Sequence, residues 1–460
     1  MEVDRAFILP GERVVATSPS IPVGGPNISA VTALAALCGA VDDAEIGCLG
    51  PVMASTHRPE HSGVAELRKF EVLFGRDALI TARFVFDQYP ELTVATVRAL
   101  AGVQGRRWES LSEEEPGRIP HEVRDRDDPT AQEISRSNGW RWPYYGAVDT
   151  TPLFISAIAS LWRSGRDVTE WSGPVSSAAD WLLRRLTAGE GLLYSRPANP
   201  KGIENQVWKD SWDAYSFPDG TIARPQIASV EAQGLAYDAC LDAAGLLEHL
   251  SETDTRAVQL RQAAMKVQQL VIETFWTRDD IGRFPAIGMQ WNGPGTVARQ
   301  LAVRASNMGH LLFSHLLDER RFTDQRDDIA LALSSPDLLC SAGIRTLAAN
   351  ERRYRPSAYH NGTSWPWDTT VTALGLLRNG YEALASMLMD RVLAVHKASG
   401  AFPEFARGDS EDLIVFNETT IDVVDSFGRR NRIAQPAQEI QAFTVGAVIA
   451  IEHIREQCVT

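Results

Sequence analysis

Apolar positions recur at helical spacing along nearly all of the chain from Asp77 onward, and this period dominates the sequence. Residues 77–100 carry one such stripe. Asp149 stands where an N-cap would precede a helix over 151–164, with Pro152 in the first turn, where its missing N–H leaves nothing unpaired. Further helices are expected over 176–188 and 229–246. Ser251 and Asp254 form a near capping box before a long helix in which Leu260, Ala264, Val267, Leu270 and Val271 keep the 3.6-residue period. The second half repeats the style, with helices expected over 301–317, 325–332, 367–378, 382–397 and 438–452, and with Gly380 and Gly400 as stops. Strands are few, at 191–194 and 412–416. Residues 1–65 are irregular and rich in Pro, Gly and Ser, with one weak helical pattern near 28–41. About a dozen helices with long polar loops, and no Ser/Gly linker between them, imply one all-α toroidal domain over 66–460. Residues 1–65 are then an N-terminal extension packed on it.

The bulk numbers narrow the function classes. A net charge of −14 supplies no basic stripe, so no nucleic-acid partner is expected. The longest apolar runs, 31–41 and 442–451, are too short for a membrane core, which needs roughly 20 residues. The opening MEVDRAFILPGER has acidic residues where a secretion signal is basic. Cys38, Cys48, Cys240, Cys340 and Cys458 are odd in number and scattered, as expected of reduced thiols in a cytoplasmic protein. No His or Cys spacing suits a metal, and no cofactor motif is present.

Tryptophan changes the picture. Among twelve, Trp140, Trp142, Trp208, Trp212, Trp291, Trp365 and Trp367 lie in polar, Gly- and Pro-punctuated segments, unlike Trp181 and Trp276 on apolar helices. A Trp among carboxylates and amides suits a sugar, whose C–H face is apolar and whose rim is hydroxyl. Glycosidic cleavage needs a proton for the leaving oxygen and an activated water, tasks that two carboxyl groups perform. Asp210 is flanked by Trp208 and Trp212, and Glu404 stands between Phe402 and Phe405 behind Pro403; aromatic neighbours can keep a carboxyl protonated. The same pattern fits ordinary capping carboxylates, and Asp213 rivals Asp210 as the acid. The polar motifs all fall at helix starts, so an inner ring of helices would bring them to one funnel.

The segments FGRDALI (74–80), EEPGRIPHE (114–122), YYGAVDTTPLF (144–154), NQVWKDSWDA (205–214), VEAQGLAYDA (230–239), HNGTSWPWDT (360–369) and FPEF (402–405) occur in this order. Together they resemble the catalytic domain of the amylo-α-1,6-glucosidase (glycogen debranching) family and, more distantly, mannosyl- and glucosylglycerate hydrolases of the same six-hairpin clan. The resemblance implies an (α/α)6 toroid and an inverting, exo-acting hydrolase of a terminal α-glucosyl unit, with Asp210 as acid and Glu404 as base. It implies that Asp77 binds hydroxyls of the terminal sugar. Tyr145, Asp149, Trp208, Lys209, Glu231, Gln233, His360, Trp365 and Asp368 match positions lining that subsite, to which Trp212 and Trp367 are added as aromatic walls. Arg76 either touches sugar or holds a carboxylate. Plainer roles compete: Asp149 and Asp368 as helix caps, His360 as a structural histidine, Glu231 facing solvent. Asn307 and His310 are expected to serve loop structure. The family's β-rich leading domain has no counterpart in residues 1–65, and Val207 replaces a usual Gly beside the acid, narrowing the site. A small glucoside or short oligosaccharide is therefore expected rather than glycogen. A phosphorylase or transglycosylase on the same toroid, or an inactive sugar-binding protein, are the alternatives; no Gly-rich phosphate cradle supports the first, and both carboxylates argue against the second.

Overall fold

The structure, a computed structural model, describes residues 13–14, 28–40, 43–57, 69–251, 254–415, 418–424 and 430–459. Among these, thirteen α-helices account for the architecture: α1 (Ala30–Leu37), α2 (Gly75–Phe84), α3 (Pro90–Gly102), α4 (Pro129–Asn138), α5 (Thr150–Arg163), α6 (Ser172–Ala188), α7 (Val230–Leu250), α8 (Arg256–Thr274), α9 (His310–Phe313), α10 (Thr323–Leu333), α11 (Pro366–Arg378), α12 (Glu382–Ser399) and α13 (Ala442–Val459). Contacts run α2–α5–α7–α9–α11–α13 and back to α2, closing an inner ring. Helices α3, α6, α8, α10 and α12 stand outside it, and α1 lies against α13. This is the mostly helical six-hairpin toroid expected from the sequence.

Close approach within the ring depends on small residues. A Cβ on Gly375 of α11 would come 2.7 Å from the Phe313 backbone nitrogen of α9, so only glycine lets these two helices touch. The α7 face carrying Ala236, Ala239, Ala243 and Ala244 is buried in the same way. Short strands lead into the inner helices: Leu73–Phe74 before α2, Ile227–Ser229 before α7 and Ile440–Gln441 before α13. They set the height at which each inner helix begins, and hence the position of the first-turn side chains.

Several local expectations give way to tertiary demands. The single helix over 301–317 is broken into a strand (Arg299–Leu301), the turn Ser306–Gly309, the one-turn α9 and the turn His315–Leu317. Ser314 is extended there (ψ 155°), and its hydroxyl caps Leu316 N. The stripe over 77–100 divides at Tyr89, where Pro90 opens α3. Residues 191–194 form a turn, not a strand, whereas Ile227–Ser229, Gly288–Gln290 and Arg299–Leu301 pair as an antiparallel sheet that no alternation announced. Residues 412–415 are irregular, and Phe416 lies outside the described residues. The Ser251/Asp254 box does not form; Asp254 accepts instead from Arg256 N at 2.9 Å. Among the described residues no helix is long and apolar enough to cross a membrane.

Candidate active site

The starts of the inner helices share one end of the ring, as their side-chain bonds show. Arg76, in the first turn of α2, donates through Nε to Asp149 Oδ2 at 2.7 Å just before α5. Its Nη1 lies 3.8 Å from Asp210 Oδ2. Asp77 beside it accepts from Gln441 Nε2 at 3.0 Å, at the start of α13. Asn307 Nδ2 reaches Glu231 Oε2 of α7 at 2.8 Å, and His310 Nε2 meets Asp368 Oδ1 of α11 at 2.6 Å. Asp149 is expected as a helix cap, but its side chain makes no cap bond and serves the buried pair with Arg76. Asp368 likewise caps nothing and is fully buried. Glu231 is buried, not solvent-facing, and also accepts from Tyr215 OH at 3.2 Å.

Asp210 lies on the irregular loop over 205–213, its side chain 32% open to the hollow. Burial raises its pKa to about 7; Arg76 opposes this, while the charges of Asp77 and Asp149 add to it. Asp77 is raised to about 6, again by burial first, against Arg76 and Gln441. Glu404 follows α12 on a loop fixed by Glu404 N to Gln438 O (2.9 Å) and by Thr444 Oγ1 to Pro403 O (3.0 Å). Its Oε1 accepts from Tyr359 OH at 2.5 Å and its Oε2 from Gln438 N at 3.2 Å. Burial raises Glu404 to about 7 against those two bonds, with the charges of Asp77 and Asp210 adding to the rise. Tyr359 senses Glu404, Asp210 and Asp77 together, so the three carboxyls face one space. Tyr359 escaped the sequence reading, although it directly precedes the HNGTSWPWDT segment.

An aromatic wall closes the other side. The Trp208 ring lies parallel to His310 at 6.2 Å and meets His360, Trp365 and Trp367 edge-on at 5.6, 5.7 and 5.1 Å. His360 accepts at Nδ1 from Ser211, whose hydroxyl is 2.8 Å away and whose N–H is 3.4 Å away, so the ring proton is on Nε2. Burial first, then Lys209 and Arg76, keep this histidine neutral. Lys209 Nζ donates to Thr346 O at 2.5 Å and lies 4.9 Å from the Trp208 ring centroid. Burial lowers Lys209 to about 8, with Asp368 and Glu231 supporting its charge. The buried atoms Arg76 Nη2, Asp149 Oδ1, Trp208 Nε1, His360 Nε2, Trp367 Nε1 and Asp368 Oδ2 have no protein partner. Unpaired buried polar groups cost roughly 1–3 kcal/mol each, and these six gather around the starts of the inner helices.

Other expected residues are placed differently. The Gln233 amide is spent on backbone, at Leu193 N (2.8 Å), Leu193 O (2.9 Å) and Ser229 O (2.9 Å). Tyr145 OH donates to Val103 O at 2.7 Å. These bonds hold loops and use the donor hydrogens of both groups. Trp212 is half-buried beside Ser211. Val207 packs into the main hydrophobic core, so its branched side chain is accommodated there. Asp213 is tied to Arg353 (3.2 Å) and to Asn361 (3.1 Å), an engagement that Asp210 lacks. His310, assigned to loop structure by sequence, joins Arg76, Asp149, Trp208, Glu231 and Trp367 around a pocket between the inner helices. Asp210 and Glu404 are not in that lining; Arg76 and Asp149 connect the two spaces. Among the described residues no group of His, Cys, Asp and Glu is arranged to hold a metal ion.

A six-hairpin toroid whose helix starts gather paired carboxyls and tryptophans is the architecture of a glycoside hydrolase. The chain belongs to the mannosylglycerate hydrolase MGH1-like glycoside hydrolase domain family, whose model matches residues 144–410. Its fold is similar to that of a mannosylglycerate hydrolase from Thermus thermophilus in complex with Tris: 12% identity, TM-score 0.56, 88% of this chain and 96% of that one. A bacterial glucoamylase complexed with acarbose gives 13% identity and TM-score 0.57 over 92% of this chain and 55% of that one. No curated protein sequence matches.

Proposed function

We propose that this glycoside hydrolase is inverting and exo-acting, releasing a terminal α-glucosyl unit from a small glucoside with Asp210 as general acid and Glu404 as general base. The observation that carries the reading is two carboxyls, 194 residues apart by their numbers, both raised to about 7, with Glu404 affected by the charge of Asp210 and Tyr359 by both. Asp210 protonates the leaving oxygen as the anomeric C–O bond breaks. Glu404 takes a proton from the water that forms the new C–O bond on the opposite face. The bonds from Tyr359 and Gln438 favour the ionised form of Glu404, and a protonated Asp210 removes one of the charges that raise it. Arg76, Asp77, Asp149, Trp208, Lys209, Trp212, Glu231, His360, Trp365, Trp367 and Asp368 are proposed to frame the terminal sugar. The α-glucosyl preference follows the likeness to amylo-α-1,6-glucosidases. The family's own description supports a second reading, in which the sugar is mannosyl and the leaving group a small acid such as glycerate.

The test is a screen of α-glucosides, glucosyl-polyols and mannosylglycerate, with the first-formed anomer read by NMR and phosphate varied. Asp210→Asn and Glu404→Gln should each abolish turnover while the protein stays folded; near-normal activity in both refutes the assignment. Residues 66–460 are proposed as the catalytic domain, with the segment before it extending the outer ring through α1. The unpaired cysteines support a reducing, cytoplasmic setting.

A further inference from the structure

The EEPGRIPHE segment touches no proposed sugar contact, yet it carries Arg118, a fully buried guanidinium. Its Nη2 donates to Gln206 Oε1 at 2.8 Å and its Nε to Ala147 O at 3.3 Å. Gln206 stands at the head of the loop bearing Asp210, and Ala147 just ahead of Asp149. Those two strings are tied again by Val148 N to Gln206 O at 2.7 Å. Arg118 is itself anchored, through Nη1, to Glu113 O (2.9 Å) and Glu115 Oε1 (3.2 Å). Glu115 is held in turn by Trp181 Nε1 (2.9 Å) and Arg185 (3.2 Å) of α6. The next residues reach the remaining acidic segments. Ile119 exchanges bonds of 3.0 Å with Thr150 and Thr151 of α5, and His121 O accepts from Gly75 N at 2.8 Å. Gly75 must be glycine, since a Cβ there would lie 2.3 Å from Pro120 O.

We propose that Arg118 is a positioning residue for the general acid: its planar fork locks the Gln206 loop to the start of α5, and so aims Asp210 against the Arg76–Asp149 pair. The proposal rests on Asp210 being the acid. The loop has no helix or strand of its own to orient it; Lys209 and Ser211 are held at Thr346 O and His360, and the Arg118 clamp fixes its head at Gln206. A misplacement of about 1 Å at a reacting group costs on the order of 10²-fold in rate. Lysine cannot replace the fork, because one ammonium cannot reach Gln206, Ala147 and Glu115 in their fixed directions.

The experiment compares wild type, Arg118→Lys, Gln206→Met and the double variant on methyl α-D-glucopyranoside and α-D-glucopyranosyl fluoride. Fluoride leaves with little help from an acid; methoxide needs the proton. We expect kcat to fall about 10²-fold on the methyl glucoside and no more than about 3-fold on the fluoride, with KM nearly constant and the double variant no worse than either single one. Equal losses on both substrates overturn the proposal. A carboxyl ¹³C titration of Asp210, which needs no substrate, provides the second arm. Facing Arg76, Asp77, Asp149 and Glu404, it should titrate near 7 in wild type and fall toward 3.8 in the folded variants as the loosened loop admits water. An unmoved titration overturns the proposal. If wild type hydrolyses neither glucoside, the functional assignment is what fails, and the titration alone decides the role of Arg118.

Discussion

Tyr359→Phe removes one hydroxyl and tests whether Glu404 is poised as a base. The hydroxyl donates to Glu404 Oε1 at 2.5 Å inside a buried site, so it favours the carboxylate over the acid. Hydrogen bonds to charged groups contribute about 1.5–3 kcal/mol, which corresponds to roughly one to two pKa units. Glu404 should therefore rise from about 7 to about 8 or 9, while Asp210 stays near 7. The active form needs Glu404 ionised and Asp210 protonated. With both near 7, about a quarter of the enzyme is in that form at the optimum. A rise of one unit leaves about 6%, and of two units about 1%. The expected result is a kcat/KM optimum about 4- to 30-fold lower, displaced upward by about half to one pH unit. Full pH–rate profiles on whichever glycoside the screen identifies provide the assay, with thermal denaturation as the folding control. A variant that loses activity at every pH without any displacement of the optimum refutes the reasoning. So does one whose profile is unchanged.

Asp77, Asp210 and Glu404 are all raised in the folded state, to about 6, 7 and 7, so folding stability should be present below pH 4 and decline as pH rises through 6–7. Asp210→Asn should accordingly stabilise the protein at pH 8 by on the order of 1 kcal/mol, and hardly below pH 4, as read by urea denaturation. Arg304 is buried with Asp279 at 2.8 Å and Asp337 at 3.7 Å, and its N–H bonds Glu351. Arg304→Met should leave Asp279 and Asp337 without their cation while keeping the backbone bond to Glu351, and cost about 1–3 kcal/mol, visible as a lower urea midpoint. Gly375→Ala should lower Tm through overpacking of about 1–3 kcal/mol against α9, without changing the pH–rate profile of the surviving enzyme.

Long helices with regular stripes, such as α5, α7, α8, α11 and α12, were legible because each satisfies its own backbone and needs from its neighbours only an apolar face. The inner helix α9 was not. Its length is set by the approach of Gly375 and by the Ser314 hydroxyl, which caps Leu316 and also donates to Asp238 Oδ1 at 3.1 Å. Such partners lie far along the chain, and no local pattern contains them. The same limit governs the site. Asp210 and Glu404 could be named because aromatic neighbours in sequence hinted at desolvation, and because the motif order resembles a family. The bond of Tyr359 to Glu404 joins residues 45 positions apart, and that of His310 to Asp368 spans 58. Gln233 shows the converse: a polar residue in a recognisable motif has its amide engaged by backbone loops.

The charge balance of the hollow separates the roles of its carboxyls. Asp77, Asp149, Asp210, Glu231, Asp368 and Glu404 converge there, facing Arg76 and Lys209, with His310 bonded to Asp368 and His360 held neutral. Even with His310 counted beside Arg76 and Lys209, six carboxyls outnumber the cations away from bulk water, so protons must make up part of the difference. Arg76 and Lys209 are not spread evenly. Arg76 pairs directly with Asp149 and stands off from Asp210 at 3.8 Å, which leaves Asp210 as a group on which a proton is readily retained. Glu404 receives two hydrogen bonds and no cation, so its charge is supported enough to exist yet not so strongly that it ceases to be basic. The burial that raises both carboxyls to about 7 supports the proposed pairing, and the Tyr359 and Gln438 bonds support Glu404 as the proposed base. That burial also explains why the stability of the fold and the ionisation of its site must oppose each other as pH rises.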